Sequence, residues 1–300
     1  MKEMGKEIKI VTTDSGLGGL SITALLAERL KKERQFERVN LTFFNCRPSD
    51  EIGYDNLPDN ETRASVFSNA LYSIQDKLKP DIILIACNTL SVIFDKTDFS
   101  KKTTVPVIGI VSNGVNEIYE YMKTDNDLRM IMFATPTTVI SNVHRKMLEE
   151  RGISPDRLIY QECRGLAGEI EKGAEEKVRS MIEDFMRSAA SETVRKPISV
   201  SLLCTHFDYV HDIFREEAGK ILSFNGKIIN PNSGMVANFL NNFPERQVSK
   251  TDISIKVMTQ TRHTREMKRA LVQKLEDTSS AVASAFENDI LEKNFFEYSF

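Results

Sequence analysis

Asp81 to Thr89, DIILIACNT, is the stretch whose reading decides the fold. The five apolar residues after Asp81 are too few for a membrane span and suit a strand buried on both faces of a parallel sheet. Cys87, Asn88 and Thr89 then fall at the strand's carboxyl end, where a helix follows and where open α/β sheets bind their ligands. Ile198 to His206, ISVSLLCTH, repeats the pattern with Cys204, Thr205 and His206. Two thiols in equivalent places point to two equivalent roles.

Working outward, Ile8 to Thr13 reads as a strand, DSGLGGLSI as a turn, and Leu25, Leu26 and Leu30 as one face of a helix. Gly16, Gly18 and Gly19 approach a dinucleotide fingerprint, but Ser21 stands where that motif needs glycine or alanine, so the nucleotide signal is weak. Such a loop can equally hold a carboxylate through its free N–H groups. Asp14 and Ser15 sit just ahead of it, and the plain role for Asp14 is a helix cap. Asn40 to Asn45 reads as a second strand, followed by a turn-rich loop, CRPSDEIGYDNLPDN. Glu61 to Lys79 has helical spacing of Phe67, Ala70, Leu71, Ile74 and Leu78, and Val105 to Val111 reads as the fourth strand. Strands alternating with helices predict a doubly wound parallel sheet.

A second cycle then opens. Leu128 to Phe133 ends in ATPTTVIS, where hydroxyls stand in place of the earlier glycines, and Arg157 to Gln161 gives a short strand ahead of ECRGLAGEIEKG and a charged helix. The spacing from Asp14 to Cys87 nearly matches that from Thr135 to Cys204. The expected architecture is α/β: two pseudo-symmetric doubly wound domains, residues 1–112 with 232–300 and residues 113–231, with the active site in the cleft between them. Lys227 to Pro231 and Asp252 to Met258 read as further strands. The basic run from Val257 to Lys274 reads as a solvated face, and the stretch from Ala281 to Phe296 as packing on the first domain or a homodimer contact.

Composition narrows the function. Forty-one per cent hydrophobic residues over 300 positions support real cores. A net charge of −3 with a pI near 5.9 argues against a general nucleic-acid binder and for a small partner. No run suits a signal peptide or a membrane span, so the expected setting is cytoplasmic, without membrane or nucleic-acid partners. Cys46, Cys87, Cys163 and Cys204 form no CxxC pair and suggest neither zinc nor a disulfide framework. A thiol works as base or nucleophile only as thiolate, and a helix amino terminus favours that form. One thiolate taking a proton from one face of a carbon, and one thiol delivering a proton to the other, would invert a stereocentre without metal or pyridoxal cofactor.

At these residues the chain resembles the cofactor-independent aspartate/glutamate racemase family, nearest in pattern to its glutamate racemases. DSGLGGLS, ACNT and LLCTH carry the resemblance, with TPTTVIS and CRGLAGEIEKG between them. It implies two similar α/β domains around an acidic amino-acid substrate, no cofactor, and D-glutamate made for bacterial cell-wall synthesis. It makes Cys87 and Cys204 the catalytic acid/bases, with Asp14 and His206 assisting and Glu171 near the histidine. Ser15, Asn88, Thr89, Thr135, Thr138 and Thr205 would hold the substrate's carboxylates and ammonium. His144, His211 and His263 are read as ordinary packing or surface side chains.

One region departs from the family pattern. Where an aspartate and a threonine, then Pro-Tyr-Gly, are usual, this chain has Asn45, Cys46 and a longer loop reaching Tyr54 and Asp55. Arg47 in that loop is a candidate cation for a substrate carboxylate. Other readings of the same residues are a related carbon-acid isomerase or decarboxylase of small dicarboxylates, a thiol hydrolase with Cys204 as nucleophile, and a non-catalytic protein that binds an acidic ligand. Retention of both cysteines favours racemisation.

Overall fold

The computed structural model describes residues 6–191, 197–222, 224–243 and 247–298. The first half runs β1 (Glu7–Asp14), α1 (Gly19–Glu33), β2 (Arg38–Asn45), α2 (Asn60–Leu78), β3 (Ile82–Ile85), α3 (Asn88–Ile93), α4 (Asp98–Lys102), β4 (Val107–Gly109) and α5 (Val111–Met122). The second runs β5 (Arg129–Ala134), α6 (Pro136–Ser141), α7 (Val143–Glu149), β6 (Leu158–Glu162), α8 (Leu166–Glu171), α9 (Glu175–Ser191), β7 (Ile198–Leu203), α10 (His211–Ile221), β8 (Phe224–Ile229) and α11 (Pro231–Asn241). The chain then adds β9 (Asp252–Thr259), α12 (Arg265–Glu276), α13 (Ser280–Glu287) and β10 (Ile290–Leu291).

Two parallel sheets form, in the orders β10-β9-β2-β1-β3-β4 and β6-β5-β7-β8. The four-strand pattern 2-1-3-4 thus recurs as 6-5-7-8. In each, the first strand of the cycle lies beside the third, so the residues that follow those two strands emerge together. That adjacency sets Asp14 near Cys87 in one sheet and Thr135 near Cys204 in the other.

β3 is IILI, buried on both faces, because alternate residues feed different cores. Ile83 and Ile85 join a cluster with Phe44, Phe67 and Leu71, while Ile82 and Leu84 join one with Leu26, Phe43 and Phe239. Full burial of such a side chain contributes about 1.5–3 kcal/mol. In the other sheet, Ile131, Phe133, Val200 and Leu202 pack on α9 through Val178, Ile182 and Met186. Met130 and Met132 on the opposite face of β5 belong to the same cluster as Ile83 and Ile85, so the two sheets share one apolar core beneath the cleft.

Three stretches differ from the sequence reading, and a fourth, the closing one, is settled between its two readings. β4 has three residues, and Val111 already begins α5, whose Val115, Ile118 and Met122 enter the shared core. The second strand of the second cycle, read as Arg157 to Gln161, spans Leu158–Glu162. Arg157 is instead a buried clamp that donates to the carbonyls of Leu128, Met122 and Asp125, satisfying the chain between α5 and β5. β8 ends at Ile229, since Pro231 opens α11, where a proline costs no hydrogen bond. Phe295 and Phe296 are buried, with the Phe295 ring 4.2 Å from that of Phe44, which places the closing segment on the first sheet.

Candidate active site

A cavity of about 370 Å³ opens where the strands of both sheets end, and both Cys87 and Cys204 line it. Asp14, Ser15, Asn88, Thr89, Thr135, Thr205, His206 and Glu171 also line it. Thr138 does not; it lies behind Thr135, whose hydroxyl donates to it at 3.1 Å.

The first wall is built by the turn after β1. Asp14 is fully buried, and its two oxygens accept from the Gly16 N–H at 2.9 Å and from the Thr205 hydroxyl at 2.8 Å. Burial pushes its carboxyl up, opposed by the nearby His206 charge and by those two hydrogen bonds. Asp14 is therefore no N-cap of α1; the residue ahead of that helix is Gly18. It ties the first lobe's turn to the second lobe's thiol segment. The Ser15 hydroxyl lies 3.1 Å from the Cys87 sulfur.

The opposite wall is a chain of contacts from Leu17 to Cys204. Glu171 Oε1 accepts from the Leu17 N–H at 2.8 Å and from His206 Nε2 at 2.7 Å, while His206 Nδ1 lies 3.7 Å from the Cys204 sulfur. Burial works against charge on His206, but its hydrogen bonds with Cys204 and Glu171 and their negative charge more than offset it, leaving the imidazole well above its ordinary value. Burial likewise raises Glu171, yet the His206 hydrogen bond and charge, the Leu17 N–H and the Arg47 charge outweigh it, and its carboxyl is held below the usual range. The pair is an imidazolium held by a carboxylate, aimed at a sulfur.

The two thiols are thus not in equivalent electrostatic settings. For Cys87, burial and the Asp14 charge push the thiol well above its ordinary value, against weaker help from Ser15 and the Leu90 N–H. The expectation that a helix amino terminus favours the Cys87 thiolate is overturned: α3 is only six residues long, and burial beside a carboxylate dominates. Cys204 is followed by a 3₁₀ turn, Thr205–Val210, before α10, so its cationic neighbour is His206 and not an α-helix end.

Further bonds join the lobes. The Thr89 and Thr135 hydroxyls meet at 2.8 Å, and Asp55 accepts from the Thr137 hydroxyl at 2.5 Å. Cys163, Tyr54, Asp55 and Arg164 line the cavity without having been singled out by sequence as site residues. Only their loops carried a signal: turn formers around Tyr54 and the CRGLAG segment. His144, read as packing, is buried with Nε2 3.2 Å from Asn88 Oδ1, and burial pulls its imidazole down to about 4. With Oδ1 engaged by His144, the Asn88 amide nitrogen is buried and unpartnered among the described residues.

Close backbone approach makes Gly18 indispensable to this junction. A Cβ there would meet the Thr205 hydroxyl and come within 2.6 Å of the His206 backbone nitrogen. Gly18→Ala is expected to lower the melting temperature by roughly 3–10 °C, since overpacking costs about 1–3 kcal/mol. Thermal unfolding followed by circular dichroism checks this; an unchanged midpoint would show that the lobes can separate freely at that contact.

Two parallel sheets of matching order, each bringing a cysteine to one cleft beside buried carboxylates and a histidine, define a two-lobed α/β protein with its candidate site between the sheets. The chain belongs to the Asp/Glu/Hydantoin racemase family, whose model matches residues 10–223. It is 24% identical over 272 residues to the glutamate racemase of Neisseria meningitidis serogroup A, covering 86% of this chain and 93% of that protein. It is 28% identical over 225 residues to the glutamate racemase of Cereibacter sphaeroides, covering 70% and 77%. Among solved structures, the fold matches glutamate racemase from Francisella tularensis, in complex with D-glutamate, at a TM-score of 0.68 and 18% identity, covering 92% of this chain and 96% of that one. The Campylobacter jejuni enzyme matches at 0.65 and 20%, covering 89% and 98%. No helix among the described residues is long and apolar enough to cross a membrane.

Proposed function

We propose that this chain is a cofactor-independent amino-acid racemase that inverts glutamate, or its shorter homologue aspartate, by a two-thiol, two-base mechanism. The observation that carries the reading is that Cys87 and Cys204 follow corresponding strands of two like-ordered sheets and line the same cavity. The residues divide the same way: 1–112 with 232–300 form one domain and 113–231 the other.

In one direction of turnover, Cys204, 3.7 Å from His206 Nδ1, removes the Cα proton as thiolate. Cys87, kept protonated by burial and Asp14, delivers a proton to the opposite face. The result is the mirror-image amino acid with Cys204 as thiol and Cys87 as thiolate, and the reverse turnover restores the start. Ser15 donates to Cys87 when it is thiolate. Asp14 lies beside Cys87 and accepts from Thr205, so it and His206 set the charge each thiol meets. Asn88, Thr89, Thr135 and Thr205 offer hydroxyls and an amide to the amino acid's carboxylate and ammonium, and Thr138 orients Thr135. The D-glutamate product of such an enzyme would feed cell-wall synthesis.

Proton NMR in D₂O with L- and D-glutamate and L- and D-aspartate, read alongside circular dichroism, tests the reading. Loss of the Cα proton signal together with decay of optical activity is expected for at least one pair. Exchange without inversion would instead favour a one-base carbon-acid enzyme. No exchange with any of the four would overturn the assignment.

A further inference from the structure

The wall of the cavity formed by Arg47, Gly53 and Tyr54 belongs to the loop after β2, and it is held from outside the family-matched region. β2 lies parallel to β9 with Asn45 opposite Thr259, so the turn that follows β9 runs alongside this loop. Three bonds join them. Gln260 Nε2 donates to the Pro48 carbonyl at 2.7 Å, the Arg262 N–H donates to Asp50 Oδ1 at 2.7 Å, and the Asn45 amide meets His263 Nε2 at 3.2 Å.

The Asn45 contact has a defined polarity. Asn45 Oδ1 already accepts the Arg47 backbone N–H at 2.9 Å, so Nδ2 is the atom facing His263. An amide nitrogen only donates, so His263 Nε2 accepts and its proton sits on Nδ1, donating to Asp289 Oδ2 at 2.6 Å. Asp289 is in turn paired with Lys268. The His263 side chain is 2% exposed and its ring packs on Phe286. A buried Asp289–His263–Asn45 chain therefore ends on the backbone of Arg47.

Arg47 spends its Nε on the Ser49 carbonyl at 3.0 Å, while its two terminal nitrogens bond no described residue. Its charge reaches into the cavity as far as Glu171. Arg164, the other arginine on the cavity wall, is turned to Glu162 at 2.9 Å. A two-nitrogen guanidinium edge with no protein partner matches a carboxylate.

We propose that Arg47 selects a substrate bearing a second carboxylate, and that His263, acting through Asn45, is its positioning residue. The inference rests on the racemase reading for the identity of the substrate. It assigns recognition of the side-chain carboxylate to the loop after β2 and makes the turn after β9 part of the specificity apparatus.

The test compares Arg47→Ala, His263→Ala and the double variant for KM and kcat with glutamate and with 2-aminobutyrate, which lacks the distal carboxylate, and for D-glutamate binding by calorimetry. Arg47→Ala is expected to raise KM for glutamate by about 10²-fold, with kcat within about threefold and 2-aminobutyrate unaffected. His263→Ala is expected to raise the same KM about tenfold alone and to add nothing in the Arg47→Ala background, because both act through one group. His263→Gln, which offers an acceptor near the Nε2 position, should recover most of the loss and shows that the effect is not general unfolding. A wild type that racemises glutamate while Arg47→Ala keeps its KM overturns the proposal and leaves the racemase reading standing. Penalties of His263→Ala and Arg47→Ala that multiply overturn the positioning role. A wild type that neither turns over nor binds glutamate or aspartate overturns both.

Discussion

Cys87→Ala and Cys204→Ala are each expected to lower the racemisation rate by about 10³-fold or more, and each to keep deuterium exchange for one enantiomer only. Inversion needs both faces served: one sulfur takes the Cα proton and the other supplies one to the far side. With a single thiol left, the carbanion can be reprotonated only from the face it lost its proton from. The proton taken up by that sulfur exchanges with solvent, so the substrate gains deuterium without inverting. The enantiomer that exchanges should switch between the two variants, since the sulfurs belong to opposite lobes. The double variant should lose the exchange as well, while its residual racemisation rate is little below that of either single variant, because groups acting as a unit are not additive. NMR in D₂O with each pure enantiomer reads all of this. Full racemisation in Cys87→Ala would remove the two-base mechanism.

Glu171→Gln should have the next largest effect, lowering kcat/KM by about 10²-fold and moving the alkaline limb of its pH profile to lower pH. The sign follows from the geometry. His206 is held well above its ordinary value against burial by Cys204 and Glu171, so the wild-type imidazole stays charged through neutrality. Glutamine keeps an acceptor for the Nε2 proton but removes the charge, and a buried cation without it loses its proton sooner. Above that lowered pKa the positive neighbour of Cys204 is gone, and kcat/KM falls with it. Leu17 should be little disturbed, as the glutamine oxygen can still accept its N–H. Measuring kcat/KM between about pH 6 and pH 10 for both proteins decides the matter. An unmoved alkaline limb would mean that His206 does not govern the charge at Cys204.

Much of this molecule was legible in its sequence because the signals are local. Short apolar runs that end in polar residues mark buried strands with a site at their tips, and DIILIACNT and ISVSLLCTH carry both parts within nine residues. The repeat of that pattern was enough to expect two like sheets, and eleven of the candidate site residues singled out, Cys87, Cys204 and Arg47 among them, line one cavity. Asp14, readable as a helix cap, is instead a bridge between lobes, because its partner Thr205 lies 191 positions away.

What the sequence alone determined, then, is the alternation of strand and helix and the chemistry at the strand ends, since periodicity and neighbouring residue types suffice for both. Tertiary structure decided the rest. It set the protonation of Cys87 and the charge on His206, because burial and the neighbouring Asp14 and Glu171 depend on how the lobes meet. It also brought His263 and Asp289 behind Arg47, because strand order places β9 beside β2 although the chain between them runs through the whole second sheet.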